Sequence, residues 1–411
     1  MYLSGFLYFY KMSLSIVLFD DFKERERLLP LVATRPVGNL RLGALTINQK
    51  WELLTAGDVS YMTAAYLQDK FPLSPVHATV VVVNACLVPS RELLNTLIEL
   101  ESECNLVDQD GNWLATKIKK ENLSLIQQKK HLSFKESYFV GEVSHLKFPE
   151  DIFMLNSTQI EFDTEFFTDI RRHSEAYDAD IIGDKLYISE TTIIAENVQL
   201  DTSRGSIVIL DNAVIEAHCI IHGPAVISDH VRIKSGTVIY PNVTIGPGST
   251  IGGELNNTVI WGNTSKGHYG YLGCAVVGEG CNLGAGTSNS NLQNDWSTVK
   301  LYSYEDNNYR NTGLLKCGVF IGDHSMLAIA SKITTGSVVG VGSQIAMSNF
   351  IPKFVNDFSW LTDAKAEKYI FAKFVDMMER KAQAKGEVFT AVDKEILYYI
   401  YTMNRDNKKL N

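Results

Sequence analysis

The sequence lacks every cysteine arrangement that would staple a small secreted fold or build a zinc ribbon. Its six cysteines, at 86, 104, 219, 274, 281 and 317, include no C-x-x-C pair and no disulfide or zinc spacing. Thiols of this kind belong to a reducing compartment, so a cytoplasmic protein is expected. Also missing is any apolar stretch near the roughly 20 residues of a membrane-crossing helix, and no membrane partner is expected. A basic excess is absent as well: 38 Lys+Arg stand against 47 Asp+Glu, for a net charge of -9. Global attraction to nucleic acid is thereby excluded, and any phosphate must meet a local basic pocket. What the chain does have is 45% hydrophobic and 21% charged residues over 411 positions. That is a globular composition, long enough for two or three domains of roughly 100–200 residues each.

The opening MYLSGFLYFY carries no basic leader and no small-residue cleavage site, and is a poor signal peptide. Met12 stands just before a strand-like run, SIVLFDD. Residues 1–11 are therefore read as a leader outside the fold, from a mis-assigned start codon or a lack of structure.

A period of six dominates the middle of the chain. Ile recurs at 209, 215, 221, 227, 233, 239, 245 and 251. Such a step fits neither a helix, with its period of about 3.6, nor a plain strand, with its period of about 2. Two positions before each Ile stands a mostly small or β-branched residue, from Ile207 and Ala213 to Val243 and Ser249. The pattern predicts a β-helix, in which each short strand is one face of a prism and the repeated Ile points inward. Asp211-Asn212, Pro241-Asn242 and Pro247-Gly248 supply corners. Upstream the register is read through Ile182, Ile188, Ile194 and Leu200, with an insertion at Thr202–Gly205. Downstream, three extra residues are read between Ile251 and Ile260, and the step of six resumes from Val277 to Leu283. An excursion over 285–316 precedes a second run, Ile321, Leu327, Ile333, Val339 and Ile345. Flat prism faces are usually buried by closed symmetry, so a homo-oligomer is expected.

Inside this repeat, Thr264–Leu292 reads TSKGHYGYLGCAVVGEGCNLGAGTSNSNL. The stretch resembles the acetyltransferase half of the bifunctional N-acetylglucosamine-1-phosphate uridyltransferases, whose pattern is H-x-x-Y-[IL]-G, then N-[IL]-G-A-G-T, then a further Asn. Here the matching residues are His268, Tyr271, Leu272 and Gly273, then Asn282 to Thr287, then Asn291. Archaeal sugar-1-phosphate nucleotidyltransferases with an appended acetyltransferase domain share the arrangement. The resemblance implies a left-handed β-helix, a homotrimer, and acetyl transfer from acetyl-CoA to an amino sugar 1-phosphate. It implies His268 as general base, Tyr271, Asn282 and Lys266 as substrate contacts, and Asn291, Ala285, Asp323 and Val341 as acetyl-CoA contacts. The residues themselves agree, because an imidazole with a pKa near 6.5 suits removal of an amine proton during attack on a thioester. Backbone N–H groups of the Gly284–Thr287 turn are candidates for an oxyanion site. His324 is the second candidate base. Glu254-Leu255-Asn256-Asn257 stands where the family carries a lysine. Its absence removes a charge-assisted hydrogen bond on the order of 1.5–3 kcal/mol from a phosphate site.

The amino-terminal half alternates strand-like runs (Ser15–Phe19, Thr79–Val83, Tyr138–Val140) with helical ones (Ile47–Ala56, Arg91–Ser102), the order of a Rossmann-like α/β sheet. Leu28-Leu29-Pro30-Leu31 and Thr34-Arg35-Pro36 resemble the opening of the sugar nucleotidyltransferases. The Gly-rich phosphate loop of that family is replaced by Phe19-Asp20-Asp21-Phe22-Lys23, its lysine by Val37, and its strand-ending Asp by Asn84-Ala85-Cys86. Backbone cannot approach a triphosphate as closely without glycine, and a neutral amide is a poorer Mg²⁺ ligand than a carboxylate. Two readings stay open. In one the half is degenerate and serves oligomerisation or sugar recognition. In the other Arg25, Arg27, Arg35 and Arg41 clamp phosphate while Asp20 or Asp21 holds Mg²⁺.

Toward the carboxy terminus, Ala366, Ile370, Phe371, Phe374, Val375 and Met378 recur at helical spacing up to Gly386, and a second helix is expected at 392–403 with 404–411 fraying. The expected organisation is a leader over 1–11, a divergent nucleotidyltransferase-like domain over 12–178, a β-helix acyltransferase domain over 179–350 and a helical extension over 351–411. Three functions compete: a sugar-phosphate acyltransferase, a nucleotidyltransferase with the β-helix as scaffold, and a non-catalytic sugar-nucleotide-binding protein.

Overall fold

A computed structural model describes residues 14–172 and 180–403. The leader and the frayed end expected at 404–411 lie outside the described residues. The chain divides into two compact units, the first made of residues up to Arg25, Arg35–Leu40 and Leu45–Lys147, the second of Glu26–Thr34, Arg41–Ala44 and residues from Phe148 onward.

The first unit is built on a six-stranded sheet in the order Val59–Met62, Ser15–Phe19, Thr79–Asn84, Trp113–Lys119, Cys104–Val107, Lys135–Tyr138. The first three strands run parallel, and Trp113–Lys119 is antiparallel to Thr79–Asn84. The run Val80–Val83 has no exposed surface, as expected for a central strand covered on both faces. Helices Ile47–Thr55 and Arg91–Glu99 form where the sequence places them. The last strand is Lys135–Tyr138 rather than Tyr138–Val140. Val140 is exposed, and its apolar side chain marks no buried strand.

The second unit is the β-helix. Ile209 pairs with Ile227 and Ile227 with Ile245, each partner three hexapeptides further along the chain. Ile215, Ile233 and Ile251 stack in the same way on a second face, and Ile221 on Ile239 on a third. One coil is thus three strands, and the inward Ile ladders merge into one continuous apolar core from Leu186 to Leu361. Corners use left-handed backbone at Asn212 and Asn242 (φ 56° and 65°), a conformation that Asn tolerates better than other non-glycine residues.

Three details depart from the sequence reading. In the first coil Ile181, not Ile182, pairs with Leu200, and Ile182 is exposed. Strand pairing continues past 350, with Val339 on Val355 and Ile345 on Leu361, so the solenoid ends at strand Ser359–Thr362. The excursion is also shorter than expected. Ser288–Asn289 remains a solenoid strand on Lys332–Ile333, and the inserted loop closes at a bridge between Leu292 and Lys316. That loop folds as a hairpin, Lys300–Ser303 against Asn308–Asn311. Arg310 pairs with Glu150 and lies 3.8 Å over the Phe148 ring, while Tyr302 stacks on Phe354 at 3.6 Å.

Ala366 is in a short strand, Ala366–Lys368, antiparallel to Ser359–Thr362, so the first tail helix starts later, at Phe371–Lys385. It ends at Gly386 in the left-handed region (φ 67°), and Ala391–Thr402 follows behind a Thr390–Asp393 capping box. Phe358 packs edge-on against Phe374 and Tyr401, which seats both helices on the last coil.

Candidate functional site

The regular coil breaks where the candidate chemistry lies. Ile239 pairs with Leu255 and Ile245 with Ile260. The coil read as carrying three extra residues is therefore shorter than its neighbours, with Leu255 filling the inward slot between Ile251 and Ile260. The shortening follows from two unbroken strands, Glu254–Gly262 and Tyr271–Glu279, which each cross a corner without a turn of their own. Asn257 (φ 51°) and Cys274 (φ 49°) make those corners. They stack: Asn242 Nδ2 donates to Asn257 Oδ1, and Asn257 Nδ2 donates to Cys274 Sγ at 3.3 Å.

Lys266, expected as a substrate contact, is instead buried inside the prism. It sits opposite Ile251 in the ladder, with 1% of its surface exposed. Its Nζ donates to the carbonyls of Gly252 at 2.7 Å and His268 at 2.8 Å. Burial pushes the ammonium down to about 8, against the pull of Glu254. Lys266 therefore anchors the loop that follows it. In that loop, Gly267 to Gly270, the His268 ring is exposed and has no hydrogen bond among the described residues. Gly270 (φ 124°) has no room for a side chain, because a Cβ there would collide with the Thr287 carbonyl of the next coil.

Directly after the loop, Tyr271 and Asn291 come together, with Asn291 Nδ2 donating to the Tyr271 hydroxyl at 3.3 Å and reaching Cys274 Sγ at 3.5 Å. Burial and the neighbouring Cys274 raise the Tyr271 phenol, opposed by hydrogen bonds from Asn291 and Asn256. Tyr271 N donates to Ser288 Oγ at 3.0 Å. Asn289 occupies an inward slot and accepts from Gly273 N at 2.8 Å while donating to Gly273 O at 2.9 Å. Asn282 lies on the strand beside Ser265, its side chain exposed and without a hydrogen bond among the described residues. The structure thus brings Tyr271 and Asn291 into contact and adds Cys274, which the sequence did not single out, beside Asn291 and Asn257. The corner geometry that gathers those three has no sequence signature apart from the broken period.

Two expected acetyl-CoA contacts are committed elsewhere. Asp323 is 2% exposed and accepts from Glu279 N at 2.6 Å and from Thr34 Oγ1. Val341 is fully buried, its N–H donating to Asp357 Oδ1 at 2.8 Å. Ala285 is half-buried and its carbonyl accepts from Ala330 N at 2.7 Å. His324 is a corner residue in the left-handed region (φ 60°) with a buried Nδ1, which disfavours it as a base.

Each of the four arginines is engaged by acceptors of the protein itself. Arg25 is buried, donating to Asp20 Oδ2 and the Arg35 carbonyl, each at 2.9 Å, and to the Tyr66 hydroxyl at 3.0 Å. Arg35 is buried and reaches Asn39 Oδ1 at 3.4 Å. Arg27 grips Glu305 through two hydrogen bonds of 2.7 and 3.1 Å. Arg41 donates to the carbonyls of Trp261 at 3.0 Å and Ala44 at 2.7 Å. The two aspartates do not fit a Mg²⁺ ion either. Asp20 takes Arg25, Thr63 Oγ1 at 2.6 Å and Val37 N at 3.2 Å, and burial raises its carboxyl even so. For Asp21, burial is outweighed by hydrogen bonds from Lys129 and Lys23 N, which hold its carboxyl low. An aspartate already saturated by protein donors has few lone pairs left for a hard cation.

Comparison with known proteins gives the following. Residues 16–172 match the sugar nucleotidyl transferase family. The bifunctional protein GlmU of Wigglesworthia glossinidia brevipalpis is 30% identical over 165 residues, which is 40% of this chain and 31% of that protein. The bifunctional protein GlmU of Clostridium kluyveri is 26% identical over 215 residues, 50% of this chain and 42% of that protein. The chain thus spans well under half the length of these relatives. Among solved structures, a UDP-N-acetylglucosamine acyltransferase from Francisella novicida aligns at 15% identity with a TM-score of 0.25, covering 54% of this chain and 91% of that one. The chain is similar to the bifunctional GlmU proteins, as the His268–Asn291 motif led one to expect.

Proposed function

We propose that the β-helix unit transfers an acetyl group from acetyl-CoA to the amine of an amino sugar 1-phosphate. One observation carries the proposal: a glycine-bounded loop, anchored by Lys266 at the His268 carbonyl, presents an exposed imidazole immediately before the paired Tyr271 and Asn291. In this reading Tyr271 and Asn282 hold the sugar phosphate and Asn291 meets the acyl donor. The amine nitrogen attacks the thioester carbonyl and gives its proton to His268 Nε2 or Nδ1. The tetrahedral oxyanion collapses, the C–S bond breaks, and the coenzyme leaves as a thiol after taking that proton. No cation stands where the family carries its lysine, and the Asn257 amide is spent on Cys274 Sγ, which predicts weaker phosphate affinity than a cationic site would give.

A homotrimer in the cytoplasm completes the picture. Tyr269 and Ile329 are 72% and 73% exposed, and a neighbouring copy covering them would supply the wall that an exposed His268 needs to exclude water. In this reading the nucleotidyltransferase-like part is the one that carries residues 16–172, and the acetyl transfer belongs to the β-helix.

The match of residues 16–172 to a nucleotidyl transferase family favours a second reading, in which that part makes a nucleotide sugar. The saturated Asp20 and Asp21 and the arginines already engaged by protein acceptors oppose it. One screen separates the readings: the full chain is incubated with acetyl-CoA and a panel of amino sugar phosphates while thiol release is followed. Parallel wells with nucleoside triphosphates, Mg²⁺ and sugar phosphates are followed for pyrophosphate. Thiol release alone supports the acyltransferase. Pyrophosphate alone supports the second reading, and ligand binding without either product supports a binding protein.

A further inference from the structure

The first unit gathers a second set of reactive side chains that the acyl-transfer reading does not use. In open α/β sheets, ligands bind beyond the carboxyl ends of the strands. Strands Ser15–Phe19 and Thr79–Asn84 end side by side, with Phe19 opposite Asn84. Past the first end, the short helix Phe22–Arg27 carries Glu24. Past the second comes Cys86. The segment around His145 runs antiparallel beside it, with Leu146 N donating to Cys86 O at 2.8 Å and Val88 N to Ser144 O at 2.9 Å. A carboxylate oxygen of Glu24, Cys86 Sγ and a ring nitrogen of His145 all lie within 4.8 Å of one another, the one such cluster among the described residues.

Three features distinguish the cluster from an ordinary ion pair. His145 Nε2 is buried and makes no hydrogen bond among the described residues, although Glu24 Oε1 is only 3.3 Å away. Two ligands of a tetrahedral ion with bonds of about 2.05 Å stand ~3.3 Å apart, facing the ion and not each other. Next, Glu24 is oriented from behind: Asn84 Nδ2 donates to its other oxygen at 2.9 Å, and Asn84 Oδ1 accepts from Cys86 N at 2.9 Å. One amide thus fixes two of the three donors, the kind of support that metal ligands need. Lastly, the donor set is mixed. A thiolate and an imidazole suit a borderline-soft ion and not Mg²⁺, which prefers oxygen.

We propose that Glu24, Cys86 and His145 form a Zn²⁺ site, with the fourth position open to water or a phosphate oxygen. Binding displaces the Cys86 thiol proton, so one proton is released per ion. Thiolate and carboxylate then cancel the two charges of the metal, which suits a mostly buried site. The site does not depend on the acyl-transfer proposal.

The test uses the full chain, stripped with a chelator and titrated with Zn²⁺ and with Co²⁺ as a spectroscopic stand-in. One ion per chain is expected, with one proton released and a thiolate-to-cobalt charge-transfer band that Cys86→Ser abolishes. Glu24→Gln and His145→Ala should each weaken Zn²⁺ binding by on the order of 10²-fold or more, and Asn84→Ala by about 10–100-fold, with unchanged far-ultraviolet circular dichroism. Because Cys86 is buried, the less buried Glu24 and His145 variants keep the test valid if Cys86→Ser misfolds. No binding in the wild type shows an ion pair only and overturns the proposal. So do undiminished binding in Glu24→Gln and His145→Ala, and displacement of Zn²⁺ by an equal concentration of Mg²⁺.

Discussion

Lys266 shows how a single residue can be read from the period and misread from its charge. The step of six from Ile260 lands on 266, an inward slot, so its burial was legible in the sequence. The resemblance to a phosphate-binding family pointed the other way, outward. Burial wins because two carbonyls, of Gly252 and His268, receive the ammonium inside the prism. The sign of the pH effect follows. Lys266 titrates near 8 in the fold and at an ordinary 10.5 when unfolded, so between those values the unfolded chain holds more protons. Stability then rises with pH across that window, by at most about 1.4 kcal/mol per pH unit from this group. Denaturant midpoints of wild type and Lys266→Met, measured at intervals from about pH 7.5 to 10.5, should diverge in slope. Parallel curves would place the ammonium in water. The contact between Tyr271 and Asn291 was within reach of the sequence because their spacing is local. Glu24, Cys86 and His145 were not, since strand order and not chain order makes them neighbours.

Among the elements, the hexapeptide strands were the most legible feature, because one inward side chain per step imposes a register that mutation cannot shift without exposing it. Ile227, stacked between Ile209 and Ile245 with no exposed surface, tests this directly. Ile227→Ala should cost about 2–5 kcal/mol in equilibrium unfolding, the usual range for a large-to-small change in a packed core. A loss under about 1 kcal/mol would mean that the coil collapses into the cavity. The sequence was least informative at coils that break the step. The insertion read between Ile251 and Ile260 is a shortened coil instead, since two strands cross corners at Asn257 and Cys274 without turn residues. The loop between those strands depends on Gly270. Gly270→Ala forces a left-handed backbone and a clash with the Thr287 carbonyl. Acetyl transfer should therefore fall while the unfolding midpoint shifts by only about 1–2 kcal/mol. An unchanged rate would separate the loop from the chemistry.

For the molecule as a whole, the sequence foretold two architectures in one chain, an α/β sheet followed by a prism, and that is what forms. Their boundary was less legible. Helix Asp151–Asp163 clusters with the β-helix unit although it precedes the first coil, because Asn156 donates to Asn242 at 3.1 Å and Glu161 accepts from Ser206 N at 2.7 Å. Assembly is tested by sedimentation: the proposal requires a trimer at the concentrations used for assay, and mutation of Tyr269 and Ile329 together to Asp should yield monomers without acetyl transfer. Retention of full activity in such monomers would remove the neighbouring copy from the site. The central claim is narrower and rests on one imidazole. Thiol release at saturating acetyl-CoA and amino sugar phosphate should be 10²–10⁴-fold slower in His268→Ala than in wild type, with the fold intact. A drop of less than about tenfold would assign the proton to another group and contradict the account.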